Sequence, residues 1–118
     1  MINLKFRVIR GLGIGSKIGL PTINLDHGNL EIDFGVYAGE IEFKEKKYSG
    51  LIHFGPRKSF NGEVSLEVLV PEKINIKTGD WVAVKIGRKI REIKKFQSVP
   101  DLKKQVNKDL ENLEIKNV

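Results

Sequence analysis

The 118-residue sequence predicts a mainly β fold, in which five or six short strands form a small antiparallel barrel or sandwich with one C-terminal helix packed on it. Three observations predict this fold. Apolar and polar residues alternate along several short segments, glycine-containing turns separate these segments, and the apolar spacing changes to three and four residues near the C-terminus. The length fits one domain that spans residues 1–118.

The alternation of apolar and polar residues defines the strand candidates. They are segments 2–8, 35–43, 48–54, 64–70 and 81–86, together with an extended stretch at 22–24. In segment 64–70 the apolar side chains at even positions share one face, which leaves Glu67 on the other. Turns are predicted around Glu45–Lys46, at Gly55–Pro56, where a strand is expected to end, at Asn61–Gly62 and at residues 78–80.

The C-terminal segment predicts a helix over about residues 99–115. Ser98 is a suitable N-cap, and Pro100 is tolerated in the first turn. Apolar residues then recur every three or four positions, at Leu102, Val106, Leu110 and Leu113. This stripe predicts that one face of the helix packs against the sheet.

Composition excludes several kinds of site and suggests one class of partner. The sequence has no cysteine, which excludes disulfides, thiolate metal sites and cysteine nucleophiles. No apolar run approaches the roughly 20 residues of a membrane helix, and the N-terminus lacks a signal-peptide pattern. We therefore expect a soluble, cytoplasmic protein with no membrane partner. Its net charge of +6 suits a polyanion, such as a nucleotide phosphate or a nucleic acid.

A glycine-rich segment is the first candidate for chemistry. Gly11, Gly13 and Gly15 leave room for a ligand and can turn backbone amides toward an anion, and Lys17 could add a point charge for phosphate. The spacing matches neither a Walker loop nor a dinucleotide-binding fingerprint. From the residues alone, a plain connecting loop is the stronger interpretation and phosphate binding is the alternative.

Thr22 and Asn24 are candidate metal ligands. Residues two apart in an extended segment point the same way, so their hydroxyl and amide oxygens could converge on a hard cation such as magnesium. The alternative is that both side chains satisfy turn hydrogen bonds beside Pro21.

Glu67 is a candidate general base. It lies within an otherwise apolar strand, where partial desolvation would raise its pKa toward a useful range. On spacing alone, an exposed glutamate paired with a cross-strand lysine is the stronger interpretation. His53 shows no metal-ligand spacing, and we interpret it as a packed or surface histidine.

Arg91 follows the predicted last strand and could contact a carbonyl or phosphate of a ligand. The alternative is that it only pairs with a nearby carboxylate such as Glu92. Phe96, close to Lys94, could border an aromatic ligand or seat the helix. For Arg91 and Phe96 the structural interpretation is the stronger one from the residues alone.

Taken in order along the chain, these motifs resemble those of the riboflavin kinase family. The kinase domain of this family usually forms the C-terminal half of bacterial bifunctional FAD-synthesis enzymes. The matching pieces are the glycine-rich segment running into Leu20-Pro21-Thr22-Ile23-Asn24, then Gly35-Val36-Tyr37, Tyr48-Ser49-Gly50, Leu66-Glu67-Val68, and Ile90-Arg91-Glu92 with Phe96 and Ser98. The resemblance implies a six-stranded, antiparallel, Greek-key-like barrel with a C-terminal helix.

The resemblance also implies a function, the magnesium-dependent transfer of the terminal phosphoryl group of ATP to the ribityl 5′-hydroxyl of riboflavin, which yields FMN and ADP. Glu67 corresponds to the catalytic base of the family. The nucleotide is implied to contact Gly11, Gly13, Gly15, Ser16, Lys17 and Thr22, the metal Thr22 and Asn24, and the flavin Arg91 and Lys94. Because the adenylyltransferase domain of the bifunctional enzymes is missing, we expect the chain to stop at FMN.

Two other functions stay open on the sequence. A non-catalytic flavin- or nucleotide-binding barrel would explain why segment 70–79 departs from the family pattern. An oligonucleotide-binding barrel would use the positive charge, but the aromatic residues are few and form no stacking platform in the sequence. Nucleic acid is therefore not expected as a partner, and we expect a monomer.

Overall fold

The six strands and the helix appear in a computed structural model that describes residues 2–10, 22–56 and 63–116. The elements are β1 (Ile2–Ile9), β2 (Thr22–Leu25), β3 (Gly35–Phe43), β4 (Lys46–Pro56), β5 (Val64–Leu69), β6 (Trp81–Arg91) and α1 (Val99–Lys116). Every strand pair is antiparallel, and the strands close into a barrel in the order β1–β2–β5–β4–β3–β6. The predicted barrel with a C-terminal helix is confirmed.

The interior of the barrel holds the larger hydrophobic core. On β5, Leu66 and Val68 are buried in it, as the alternation predicts, and Val70 follows immediately after the strand. Removing each such side chain from water stabilises the fold by roughly 1.5–3 kcal/mol. Because strand side chains alternate between faces, this core keeps Glu67 on the outer face of the barrel.

The helix α1 packs on the outer face of the barrel through its apolar stripe. Val106 and Leu113 are buried there, and Leu102 and Leu110 are partly buried. The surface beneath them consists of Val36, Ala38, Leu51 and Leu69. Leu69 lies two residues from Glu67 on the same face, so the helix covers the outer face next to that glutamate. No helix in the described ranges combines the length and apolar composition needed to cross a bilayer.

Ser98 caps the N-terminus of α1. The Asp101 amide donates to Ser98 Oγ at 3.2 Å, and the Leu102 amide donates to the Ser98 carbonyl oxygen at 3.2 Å. Ser98→Ala removes the side-chain acceptor, so we expect the free energy of unfolding to fall by about 1 kcal/mol. Chemical denaturation measures this change. Ser98→Asp keeps an acceptor and should retain stability, and an undiminished Ser98→Ala protein would contradict the cap.

The predicted end of a strand at Gly55–Pro56 is wrong. Strand β4 continues through both residues, which pair with Ser65 and Val64 of β5. Glycine permits this path, because Gly55 has a φ of +145° and a Cβ there would collide with the Ile93 side chain. A Gly-Pro pair in the sequence is a turn signal, but here the glycine has a positive φ inside a strand. The local sequence does not distinguish the two cases, which explains the wrong prediction.

Two other boundaries also differ from the prediction. The hairpin between β3 and β4 turns at Lys44 and Glu45, with φ values of 51° and 66°, one residue earlier than expected. Strand β6 extends to Arg91, so this arginine lies within the last strand instead of following it. The turn predicted at Asn61–Gly62 lies outside the described residues.

Candidate active site

Strand pairing brings the predicted metal ligand and the predicted base together. Asn24 of β2 pairs in register with Glu67 of β5, and Glu67 pairs in register with His53 of β4. Residues that oppose each other in an antiparallel pair have Cα atoms about 4.5–5.5 Å apart and project side chains to the same face. Three polar side chains from distant parts of the sequence therefore lie side by side on the outer face of the barrel.

This line of paired residues continues around the barrel in both directions. Ile9 of β1 pairs with Asn24 at one end. At the other end His53 pairs with Val36 of β3, and Val36 pairs with Arg91 of β6. We call this line the outer row, and its members are Ile9, Asn24, Glu67, His53, Val36 and Arg91. It takes one residue from each of the six strands, so it links three of the predicted site residues.

Thr22 lies at the start of β2, two residues before Asn24. Both side chains are half-buried, whereas Ile23 between them is buried in the core. Thr22 and Asn24 therefore share the outer face, where the threonine pairs with Leu69 beside the outer row. Their hydroxyl and amide groups offer uncharged oxygen donors next to the carboxylate of Glu67.

Glu67 is buried on the outer face, with 7% of its surface exposed. Its Oε1 atom is shielded from solvent. Its cross-strand neighbours are Asn24 and His53, so the interpretation as an exposed glutamate facing a lysine does not hold. The carboxylate stands at the centre of a polar row on a rigid strand, a suitable setting for a group that must accept a proton at a defined place.

His53 is the residue whose place the sequence interpretation missed. It is half-buried, and its Nδ1 atom is shielded from solvent. The period of two places it on the outer face together with Leu51, but the sequence does not reveal that β4 runs beside β5 in this register. Its position next to Glu67 is therefore a result of the barrel topology.

Arg91 forms a partly buried ion pair with Asp109 of α1. Its Nε donates to Asp109 Oδ2 at 3.0 Å and to Oδ1 at 3.2 Å, and its Nη2 donates to Oδ2 at 2.9 Å. Asp109 has 1% of its surface exposed and also accepts a hydrogen bond from Gln105 Nε2 at 2.9 Å. The carboxylate partner of Arg91 is thus Asp109, not the neighbouring Glu92, which offers its backbone oxygen to Nη1 at 3.0 Å.

Two residues in the segment after β6 add contacts around this ion pair: Lys94 contacts helix α1, and Phe96 contacts Arg91. Lys94 Nζ donates to Gln105 Oε1 at 3.3 Å. The guanidinium carbon of Arg91 lies 5.9 Å from the centroid of the Phe96 ring, within cation–π range. Both residues that the resemblance assigns to the flavin, Arg91 and Lys94, are therefore bonded to α1 at the β6 end of the outer row.

Two ionisable groups near that end are held in their protonated forms. Tyr37 pairs with Lys89, and its hydroxyl donates to the Asp33 carbonyl oxygen at 2.5 Å. Burial raises the pKa of the Tyr37 phenol, and the hydrogen-bonded ion pair with Glu92 raises the pKa of the Lys89 ammonium group. Neither group titrates near neutral pH, so neither is suited to accept a proton in a reaction at that pH.

Most of the predicted nucleotide-binding residues fall outside the described part of the chain: Gly11, Gly13, Gly15, Ser16 and Lys17. The strands on either side of this segment are described, and both border the site. Ile9, at the end of β1, pairs with Asn24, and β2 begins at Thr22. The end of β1 and the start of β2 therefore lie beside the proposed metal ligands.

Comparison with known proteins identifies the family and agrees with the barrel fold. The family model for riboflavin kinase matches residues 1–116. The bifunctional riboflavin kinase/FMN adenylyltransferase of Haemophilus influenzae is 37% identical over 108 residues, which cover 89% of this chain and 35% of that protein. The RNA-binding riboflavin kinase RibR of Bacillus subtilis is 30% identical over 105 residues, covering 87% of this chain and 46% of that protein.

A solved structure also supports the barrel fold. A crystal structure described as a macrolide-efflux protein from Streptococcus pneumoniae superposes with a TM-score of 0.80 and 30% sequence identity, over 92% of this chain and 37% of that one. The chain spans less than half the length of each of these relatives. The family match nevertheless includes all six strands and the outer row, and this chain belongs to the riboflavin kinase family.

Proposed function

We propose that this riboflavin kinase domain transfers the terminal phosphoryl group of ATP to the ribityl 5′-hydroxyl of riboflavin, giving FMN and ADP. The observation that carries the proposal is the register pairing of Asn24 with Glu67 on the outer row. A proposed metal ligand and a proposed base are then neighbours, as phosphoryl transfer to a hydroxyl requires.

The reaction needs a proton acceptor at the attacking hydroxyl. The ribityl oxygen bonds to the γ-phosphorus, the bond between that phosphorus and the β–γ bridging oxygen breaks, and ADP leaves. We assign the departing hydroxyl proton to Glu67. Its burial on a strand supports this role, because little water competes for the carboxylate and the backbone fixes its origin.

The donor set at the start of β2 fits magnesium. Thr22 and Asn24 offer uncharged oxygens on one face, and magnesium usually completes its shell with water and substrate phosphates. Such a site needs no acidic cage, and the described residues contain no cluster of three or more His, Cys, Asp or Glu side chains that could hold a metal. When bound with the nucleotide, magnesium would neutralise charge on the β- and γ-phosphates.

The order of the outer row suggests where the two substrates bind. We assign the nucleotide to the β1–β2 connection, with Gly11, Gly13, Gly15, Ser16, Lys17 and Thr22 as contacts. The flavin is assigned to the β6 end, near Arg91 and Lys94. Glu67 lies between these ends, next to Asn24, where the hydroxyl of one substrate would meet the γ-phosphate of the other.

The first test is product formation. Purified protein incubated with riboflavin, magnesium and ATP should yield FMN, which chromatography separates from riboflavin, with CTP and GTP run alongside to identify the preferred donor. Adding EDTA should stop the reaction, and excess magnesium should restore it. If none of the three triphosphates yields FMN while riboflavin fluorescence is still quenched, the chain is a non-catalytic flavin-binding barrel instead.

RNA is not our proposed partner, although one relative is named RNA-binding. The exposed Trp81 stands opposite Arg7 on the β1–β6 side of the barrel. An acidic side chain of β3 interrupts the basic ones there, since Glu40 pairs with Lys85 of β6. That side of the barrel therefore lacks the continuous basic stripe that tracks a nucleic acid backbone. A cytoplasmic location and a monomeric state stay predictions.

A further inference from the structure

We infer that His53 is a positioning residue for Glu67, an inference that rests on the proposed function. The two residues are register partners on β4 and β5, and His53 stands on the side of Glu67 away from Asn24. The imidazole thus lies beside the carboxylate opposite the proposed metal ligand. We assign it the role of keeping the carboxylate directed along the row toward Asn24.

The burial of both groups supports this role. His53 Nδ1 and Glu67 Oε1 are both shielded from solvent. Bulk water therefore does not set the orientation of the carboxylate, and the polar groups beside it in the row do. On β4 and β5 the nearest such group by register is the imidazole, which can present an N–H to the carboxylate.

The other neighbours of His53 limit where its ring can go. Its second register partner is Val36, which is buried beneath α1. Leu51, two residues earlier on the same face of β4, is buried in the same cluster. Apolar side chains therefore lie on two sides of the imidazole. On β5, its register partner Glu67 can accept a hydrogen bond from an imidazole N–H.

A base that is held in place raises kcat more than it changes substrate binding. A freely rotating glutamate side chain has up to about 2 kcal/mol of conformational entropy to lose, and small misplacements of reacting groups cost about 100-fold in rate. If His53 positions Glu67, substitution of His53 should therefore lower kcat with little change in KM. A merely structural histidine would instead alter thermal stability, and its effect on rate would follow that stability.

The test compares His53→Leu with His53→Asn in FMN formation. The leucine keeps the size of the side chain without a polar group, whereas the asparagine places an amide near the Nδ1 position. We expect His53→Leu to lower kcat about 30-fold, with KM for riboflavin and ATP changing less than about threefold. His53→Asn should keep kcat within about threefold of wild type. His27→Leu, at the chain's other histidine, lies outside the outer row and serves as the matched control.

A double-mutant cycle shows whether His53 acts through Glu67. In the Glu67→Gln background, His53→Leu should lower kcat less than about twofold, because the group it positions is already lost. Additive losses would overturn the inference. An unchanged kcat in His53→Leu would also overturn it, as would equal losses in the leucine and asparagine variants that follow their melting temperatures.

Two further outcomes are decisive. If His53→Leu does not fold, His53→Asn and His53→Gln decide, since one of them must retain kcat and two folded, inactive proteins would refute the role. Wild-type protein is assayed beside every variant. If it makes no FMN, the proposed function fails together with this inference, whereas an active wild type with an equally active His53→Leu defeats the inference alone.

Discussion

Glu67→Gln should lower kcat for FMN formation by at least about 100-fold while the protein keeps its fold and its ligands. Glutamine has the size and hydrogen-bonding reach of glutamate but cannot accept the hydroxyl proton. The side chain sits on the outer face, outside the barrel core that stabilises the fold. The loss should therefore appear in the chemical step and leave the free energy of unfolding nearly unchanged.

The measurement is single-turnover FMN formation with saturating riboflavin, ATP and magnesium, beside riboflavin fluorescence quenching for binding. Glu40→Gln is the matched control, because Glu40 is also a strand glutamate but is only half-buried, lies away from the outer row and pairs with Lys85. It should keep kcat within about twofold. A Glu67→Gln protein with near-wild-type kcat would exclude Glu67 as the base, and one that no longer binds riboflavin would mark it as a binding residue.

The face on which Glu67 lies was predictable from the sequence, and the reason is local. Strand side chains alternate, so an apolar core takes Leu66 and Val68 and must turn Glu67 outward. The same logic applies to the helix, where a spacing of three and four residues marks Val106 and Leu113 for burial. Each pattern belongs to a single strand or helix, so residues that are close in the sequence are enough to predict which side chains are buried.

The neighbours of Glu67 were not predictable, because they depend on which strands pair. Strand β5 lies between β2 and β4, so Asn24 and His53 reach Glu67 from two different parts of the chain. No spacing within one strand encodes that register. The partner of Arg91 was missed for the same reason, since Asp109 belongs to the helix and the nearest carboxylate in the sequence is Glu92.

Asp109→Asn should lower the free energy of unfolding by about 3 kcal/mol, the largest stability effect that we expect from a single side chain on the helix. The substitution keeps the volume but leaves the guanidinium of Arg91, whose side chain is 16% exposed, without its carboxylate. Breaking a buried ion pair from one side typically costs about 3–5 kcal/mol, because the remaining charge stays desolvated. The lower end is expected here since Arg91 keeps some access to water and its bond to the Glu92 carbonyl oxygen.

Urea denaturation of the wild type and the variant measures this difference. Glu92→Gln is the matched control, because it breaks the ion pair with Lys89, in which the glutamate side chain is 77% exposed. Exposed pairs contribute about 0–1 kcal/mol, so this variant should stay close to wild type. Equal stabilities for Asp109→Asn and Glu92→Gln would show that the Arg91–Asp109 pair does not hold the helix to the barrel.

The same ion pair also bears on the flavin end of the site. Arg91 is proposed to act near the flavin, yet its guanidinium is bonded to Asp109, so it must act either from that position or after release. If Asp109 holds Arg91 in its working position, riboflavin affinity should fall in Asp109→Asn under conditions where the variant is folded. If Asp109 competes with the flavin for the guanidinium, riboflavin affinity should rise instead. We expect the fall, because Asp109 is 1% exposed and its bonds to both Arg91 and Gln105 make release of the arginine costly.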